Sequence, residues 1–213
     1  MGDRFALAGR VWEVEELDIA RKLIYVKQVK GKMEISWPGD YGEIHTKILE
    51  KMREILLCDE EYPYLKPQAK ERLASARAIA RNTGFAVRPV VRLGGFSYCI
   101  FPWLGTRAFR TLRRTLLRFS KDLGVSAVEF EGCYYISFKM ERTTEEEFFP
   151  RLVELIEKNG GLDPEELVFR SETPCTDKYD SLIPPSLLRK VYAHDRLDSE
   201  TALRRINEFA ELS

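Results

Sequence analysis

The first 40 residues alternate apolar and polar positions in short runs, and this spacing predicts β-strands. Three runs rich in strand-favouring residues occupy positions 5–8, 11–14 and 23–27, with turn residues between them. Pro38-Gly39-Asp40 then interrupts the pattern. Three strands are too few to close a barrel, so we expect a partial β-barrel over residues 1–40, with partner strands upstream in a longer parent chain.

The apolar spacing changes to the helical period over residues 41–84. Apolar residues recur three or four positions apart from Ile44 to Leu56, which predicts one helix. A second helix is predicted from Pro67, a favourable first-turn residue, to Gly84, a typical stop. We therefore expect a helical linker over residues 41–84.

Residues 85–160 show the same order of elements twice. Strands are predicted at 85–93 and 96–103 before a helix at 106–121, and at 127–131 and 133–140 before a helix at 144–158. A duplicated ββα unit predicts one antiparallel sheet with both helices on one face. Residues 161–213 predict a helical C-terminal segment, in which Asp198 or Ser199 caps the last helix. The expected fold class is α+β.

The predicted helix that begins at Thr106 carries an arginine stripe. At about 100° per residue, four of its arginines fall within an arc of about 80°, opposite an apolar face. The stripe consists of Arg107, Arg110, Arg114 and Arg118, with Arg113 beside it. Because arginine stays charged and binds phosphate bidentately, the stripe is a candidate contact for a nucleic-acid backbone. A solvated helix face is the simpler alternative.

The charge distribution also makes the middle of the chain a candidate for binding a polyanion. The 213-residue sequence has a net charge of zero, which by itself argues against a dedicated nucleic-acid-binding protein. Residues 85–140, however, hold nine basic and three acidic side chains, whereas residues 141–213 hold 10 and 17. The middle third is therefore basic and the last third acidic.

Several kinds of catalytic site are not supported by the sequence. The four cysteines form no CxxC pair, which argues against a zinc ribbon, and two histidines are few for a metal site or a triad. Asp59-Glu60 follows an apolar run, as in nucleotide hydrolases, but no phosphate-cradling GxxxxGK[ST] loop is present and the helical period makes the pair a helix end. We expect no catalytic residue and no cofactor in this chain.

No signal peptide or membrane-length apolar run is present either. We therefore expect a reduced, cytoplasmic chain with no membrane contact.

Aromatic residues are a second signal for nucleic-acid binding. Trp103 directly precedes the arginine helix, where its ring could stack on an unpaired base; packing in a core or an interface is the alternative for it and for Trp12 and Trp37. A weaker basic cluster lies in the β-rich start, where a solvated surface is the alternative; it comprises Arg21, Lys22, Lys27, Lys30 and Lys32.

Four segments resemble one family. Residues 5–18 (FALAGRVWEVEELD) look like the F-x-L-x-G-R-x-W-x-V barrel segment downstream of the motor in large Lhr-like DEAD/DEAH-box helicases. Residues 40–49 (DYGEIHTKIL), 101–107 (FPWLGTR) and 179–190 (YDSLIPPSLLRK) are similar to segments of the same C-terminal regions. The chain thus resembles the non-motor C-terminal region of these superfamily 2 helicases.

This resemblance implies a parent protein that is an ATP-dependent helicase, with ATP and Mg²⁺ held by motor lobes upstream of residue 1. No motor motif is present here, so the resemblance transfers no catalytic residue. It implies a non-catalytic accessory domain whose partners are the motor lobes and DNA or RNA, in single-stranded form. The chain is then either an excised domain or a stand-alone relative that acts in trans.

Two other functions stay open. The arginine stripe could dock on an acidic surface, including the acidic last third of the same chain, in a protein-interaction or structural module. That hypothesis predicts burial of Arg110 and Arg114 against carboxylates such as Glu154 or Glu166. Alternatively, a cleft between the two ββα halves could bind a small molecule. Only analogy with other proteins of similar fold supports this function.

Overall fold

A computed structural model describes residues 2–7, 10–19, 21–31, 42–175 and 177–213. The chain divides after Gly42 into two units, residues 1–42 and 43–213. The residues expected to form a partial barrel, 1–40, fall in the first unit. Those expected to form the helical linker, the duplicated domain and the C-terminal segment fall almost entirely in the second.

Three antiparallel strands form the sheet of the first unit. They are β1 (Arg4–Leu7), β2 (Arg10–Asp18) and β3 (Leu23–Val29), in the order β1-β2-β3. Trp12 pairs with Gln28, and Leu17 pairs with Ile24 beyond a bulge in β2. The strands predicted from the alternating pattern are confirmed, whereas partner strands upstream stay a prediction.

The second unit begins with the two predicted helices, α1 (Thr46–Leu57) and α2 (Pro67–Thr83). The side chain of His45 caps α1 by accepting a hydrogen bond from the backbone N–H of Lys47. Pro67 occupies the first turn of α2, and Gly84 ends it in the left-handed conformation. Both boundaries agree with the start and stop residues seen in the sequence.

A four-stranded antiparallel sheet and two long helices follow, as the ββα duplication predicts. The strands are β4 (Val91–Gly94), β5 (Ser97–Ile100), β6 (Val125–Glu131) and β7 (Tyr135–Met140), in the order β4-β5-β7-β6. After β5 come α3 (Thr106–Arg118) and the short α4 (Ser120–Leu123), and after β7 comes α5 (Glu145–Lys158). The α+β fold class is therefore confirmed.

The strands predicted at 85–93, 96–103 and 133–140 are each shorter in the structure, and the first differs most. Residues 85–90 form turns instead of extended chain, because the N–H groups of Val87 and Arg88 donate to the carbonyl of Gly84. Pro89 has no N–H to give to a ladder. The strand β4 therefore begins only at Val91.

The C-terminal part contains two further helices, α6 (Pro185–Arg196) and α7 (Ser199–Glu211). Asp198 is the N-cap of α7, since its carboxylate accepts from the N–H of Thr201. The helical C-terminal segment is thus confirmed, together with one of the two caps that the sequence offered.

One large core joins most of the second unit. Its buried side chains come largely from β5 and β7 and from helices α1, α2, α3, α5 and α7; those that are almost completely buried include Leu49, Ile100, Leu112, Leu116, Ile136, Phe148, Phe149 and Phe209. A separate, smaller cluster consists of Leu167, Val168, Ala193 and Leu197. Residues 162–198 therefore have a core of their own, between two helices anchored in the main one.

The start of α3 is clipped to the start of α1. The N–H of Thr106 donates to the carbonyl of Ile44, whose own N–H donates to the Thr106 hydroxyl, each at 2.9 Å. The N–H of Gly105 donates to the Thr46 hydroxyl at 3.0 Å. A Cβ on Gly105 would lie 2.5 Å from the backbone nitrogen of Thr46. Only glycine lets the two chain segments approach so closely.

Candidate functional site

The arginine-rich segment forms the predicted helix, and α3 is buried on more than one face. Its apolar side enters the main core through Phe109, Leu112 and Leu116. None of its five arginines is classed as exposed, and Arg114 is only 7% exposed. The sequence thus predicted the helix correctly, but its polar face is not open to solvent along its length.

Arg114 is at the centre of that face. Its Nη1 donates to the carbonyl of Leu167 at 2.9 Å and to the carboxylate of Glu172 at 2.8 Å. Its Nη2 lies 3.5 Å from the Tyr192 hydroxyl, and the guanidinium stands 5.0 Å from that ring's centroid. Burial lowers the pKa of Arg114, but the hydrogen bonds to Glu172 and Tyr192 outweigh it, so the pKa lies above its ordinary value.

Two arginines nearer the start of α3 bind the last turn of α6. The Nη2 of Arg107 donates to the carbonyl of His194, and the Nη1 of Arg110 donates to the carbonyl of Arg196, both at 2.8 Å. The last carbonyls of a helix have no partner within it. Arg107 and Arg110 therefore cap the C-terminal end of α6, where positive charge is also favoured by the helix dipole.

The two remaining arginines also have partners within the chain. Arg118 forms an ion pair with Glu166. The guanidinium of Arg113 lies 4.1 Å from the centroid of the Phe130 ring, a cation–π contact, and burial, followed by the charge of Arg114, lowers its pKa.

Residues 162–175 and 177–198 therefore cover the arginine face; we call these residues the C-terminal flap. Besides the arginine contacts, the N–H of Asp198 donates to the Thr111 hydroxyl of α3 at 2.8 Å. The five guanidinium groups therefore do not project freely into solvent, as a solvated helix face or a direct nucleic-acid contact would require. The acidic last third supplies Glu166, Glu172 and several backbone carbonyls as partners, which is the arrangement that the docking hypothesis described.

The carboxylates differ in part from those expected. Arg114 pairs with Glu172, and Glu166 pairs with Arg118. Arg110 is 3.9 Å from Glu43, its nearest carboxylate partner, and bonds more closely to a backbone carbonyl. The sequence did not indicate that Glu172 and Glu166 are these partners. They lie far from α3 in the sequence, in a loop whose path the apolar pattern does not determine.

Trp103 is buried and not a free stacking platform. It is 6% exposed, and its ring centroid lies 5.9 Å from that of Phe85 and 6.4 Å from that of Phe101. The core-packing alternative is therefore correct for this residue. Of the other tryptophans, Trp12 is half-buried, and Trp37 lies outside the described residues.

The weaker basic cluster lies on the surface of the first unit. Arg21, Lys22, Lys27 and Lys30 are exposed, and Lys32 lies outside the described residues. Lys27 is 3.1 Å from Glu13, which also accepts from Arg4 at 2.8 Å. The hydrogen bond from Lys27, followed by that from Arg4, lowers the pKa of Glu13, so acidic partners neutralise part of this cluster.

The acidic pair and the two histidines of the sequence analysis have defined places in the fold. Asp59 and Glu60 follow the end of α1 as expected, His45 is a helix cap, and His194 is exposed. Over the described ranges, no group of three or more histidine, cysteine, aspartate or glutamate side chains is arranged to hold a metal ion. No helix in the described part of the chain is long and apolar enough to cross a membrane.

Sequence reasoning missed a groove between α1 and α7. It is an open groove of about 550 Å³, lined by Glu50, Arg53, Glu54, Leu57, Cys58, Arg205 and Glu208. The two helices lie about 150 positions apart in the sequence, and no motif connects them. The one available signal was polar, since Arg205 interrupts the apolar side of α7 between Ala202 and Ile206.

No family model, curated protein or solved structure matches this chain.

Proposed function

We propose that this chain is a non-catalytic accessory module of an ATP-dependent DEAD/DEAH-box helicase, and that it works through protein contacts. The arginine helix α3 serves in this proposal as an internal clamp for the C-terminal flap. The observation that carries the protein-contact proposal is that each of the five arginines of α3 already has a partner in the chain. Phosphate binding by this face would require those contacts to break.

An exposed apolar face on the sheet of the first unit also supports the proposal of protein contacts. On one face of its sheet, Trp12 and Val14 of β2 lie beside Leu17 and Ile24, which are 52% and 59% exposed. This sheet spans residues 4–29, and the segment that resembles the helicase barrel is residues 5–18. A small sheet with an apolar face gains stability when another surface covers it. We assign that role to a motor lobe of the parent helicase.

The clamp and nucleic-acid contact predict opposite results for one double variant, Arg110→Ala/Arg114→Ala. Binding of labelled single-stranded DNA is measured against salt, and unfolding is followed through Trp103 in a Trp12→Phe/Trp37→Phe background. The clamp predicts lower stability and no change in DNA affinity. An unchanged stability with a salt slope flatter by about one to two units would contradict the clamp and favour phosphate contacts.

Nucleic-acid binding by the arginine face is the second candidate function. Two observations favour it: the excess of basic residues over positions 85–140, and the separate small core of the C-terminal flap. A segment with few buried apolar side chains opens at a lower free-energy cost than the main core. Displacement of the flap would expose several guanidinium groups to a polyanion.

This second candidate has its own test. In the variant Glu166→Gln/Glu172→Gln, the flap loses two carboxylates that hold Arg118 and Arg114. Binding through an opened flap predicts a rise in single-stranded DNA affinity at low salt, beyond the rise in Glu145→Gln/Glu146→Gln, which removes the same charge from the N-terminal turn of α5. Equal affinities of the two variants would rule out this mode of binding.

A further inference from the structure

We draw no further inference here: the strongest candidate, the surface patch of exposed apolar side chains on the C-terminal flap from Tyr179 to Val191, has both basic and acidic residues beside it in the sequence, and nothing in the structure shows what covers it.

Discussion

In the arginine helix α3 and in the N-terminal sheet, the usual solvent exposure of polar and apolar side chains is reversed. In α3, side chains that favour water are withdrawn from it, and Arg114 is 7% exposed. In the first unit, side chains that avoid water face it, and Ile24 is 59% exposed. Charge and hydropathy predict the reverse for both regions.

The difference shows that partners decide exposure in this protein. Arg114 can be buried because a carbonyl, a carboxylate and an aromatic hydroxyl accept from its two terminal nitrogens. Leu17 and Ile24 are more than half exposed, and the described residues of the first unit form one layer of strands, which cannot cover its own face. The free energies of unfolding of four variants, two at α3 and one each in the flap and the N-terminal sheet, test this difference between the two regions.

The largest effect is expected where α3 is clipped to α1. Gly105→Ala places a Cβ against the backbone of Ile44 and Thr46, which cannot move without breaking the clip. The free energy of unfolding of the second unit should fall by about 3 kcal/mol, measured by urea unfolding with Trp103 as the probe. Gly31→Ala, whose Cβ has no neighbour within 4 Å in the described part of the chain, is the control and should leave stability unchanged.

The next effect concerns the buried arginine. Arg114→Met keeps an apolar stem of similar length but leaves the carbonyl of Leu167 without its donor, so unfolding should become about 2 kcal/mol easier. Arg151→Met, at an exposed position of α5, should change the same quantity by less than about 0.5 kcal/mol. Equal effects of the two variants would mean that Arg114 does not hold the flap.

A smaller effect is expected from the partner carboxylate. Glu172→Gln keeps an acceptor oxygen for Arg114 but removes the charge, which should cost about 1 kcal/mol because the glutamate is partly exposed. Chemical denaturation of this variant is compared with that of Glu157→Gln, an exposed position of α5. A larger loss for Glu157→Gln would contradict the assignment of Glu172 as a clamp residue.

The smallest effect is expected on the open face of the sheet. Leu17→Thr/Ile24→Thr should change the stability of the first unit by less than about 0.5 kcal/mol, since both side chains are more than half exposed and threonine favours strands. Trp12 fluorescence in a Trp37→Phe/Trp103→Phe background reports this unfolding. Val11→Thr, at a position that is 8% exposed in the same sheet, should cost more. The reverse order would show that the face is covered in the isolated chain.

Local pattern predicted the elements well and their ends less well. The helix from Pro67 to its glycine stop and the two ββα repeats are confirmed, because capping residues and apolar periods act within a few positions. The strand predicted at 85–93 shortened because Gly84 accepts two backbone hydrogen bonds that alternation does not reveal.

The sequence by itself determined that α3 is a helix, that its apolar side enters a core, and that its five arginines share the rest of its surface. Only the tertiary structure decided what those arginines meet. The C-terminal flap folds back onto α3 and supplies carbonyls and carboxylates from 48 to 87 positions away along the chain. The physical reason is that a guanidinium group uses the same donors to bind phosphate, carboxylate or carbonyl oxygen. An arginine in the sequence therefore predicts an oxygen acceptor as its partner, and the fold determines which acceptor lies next to it.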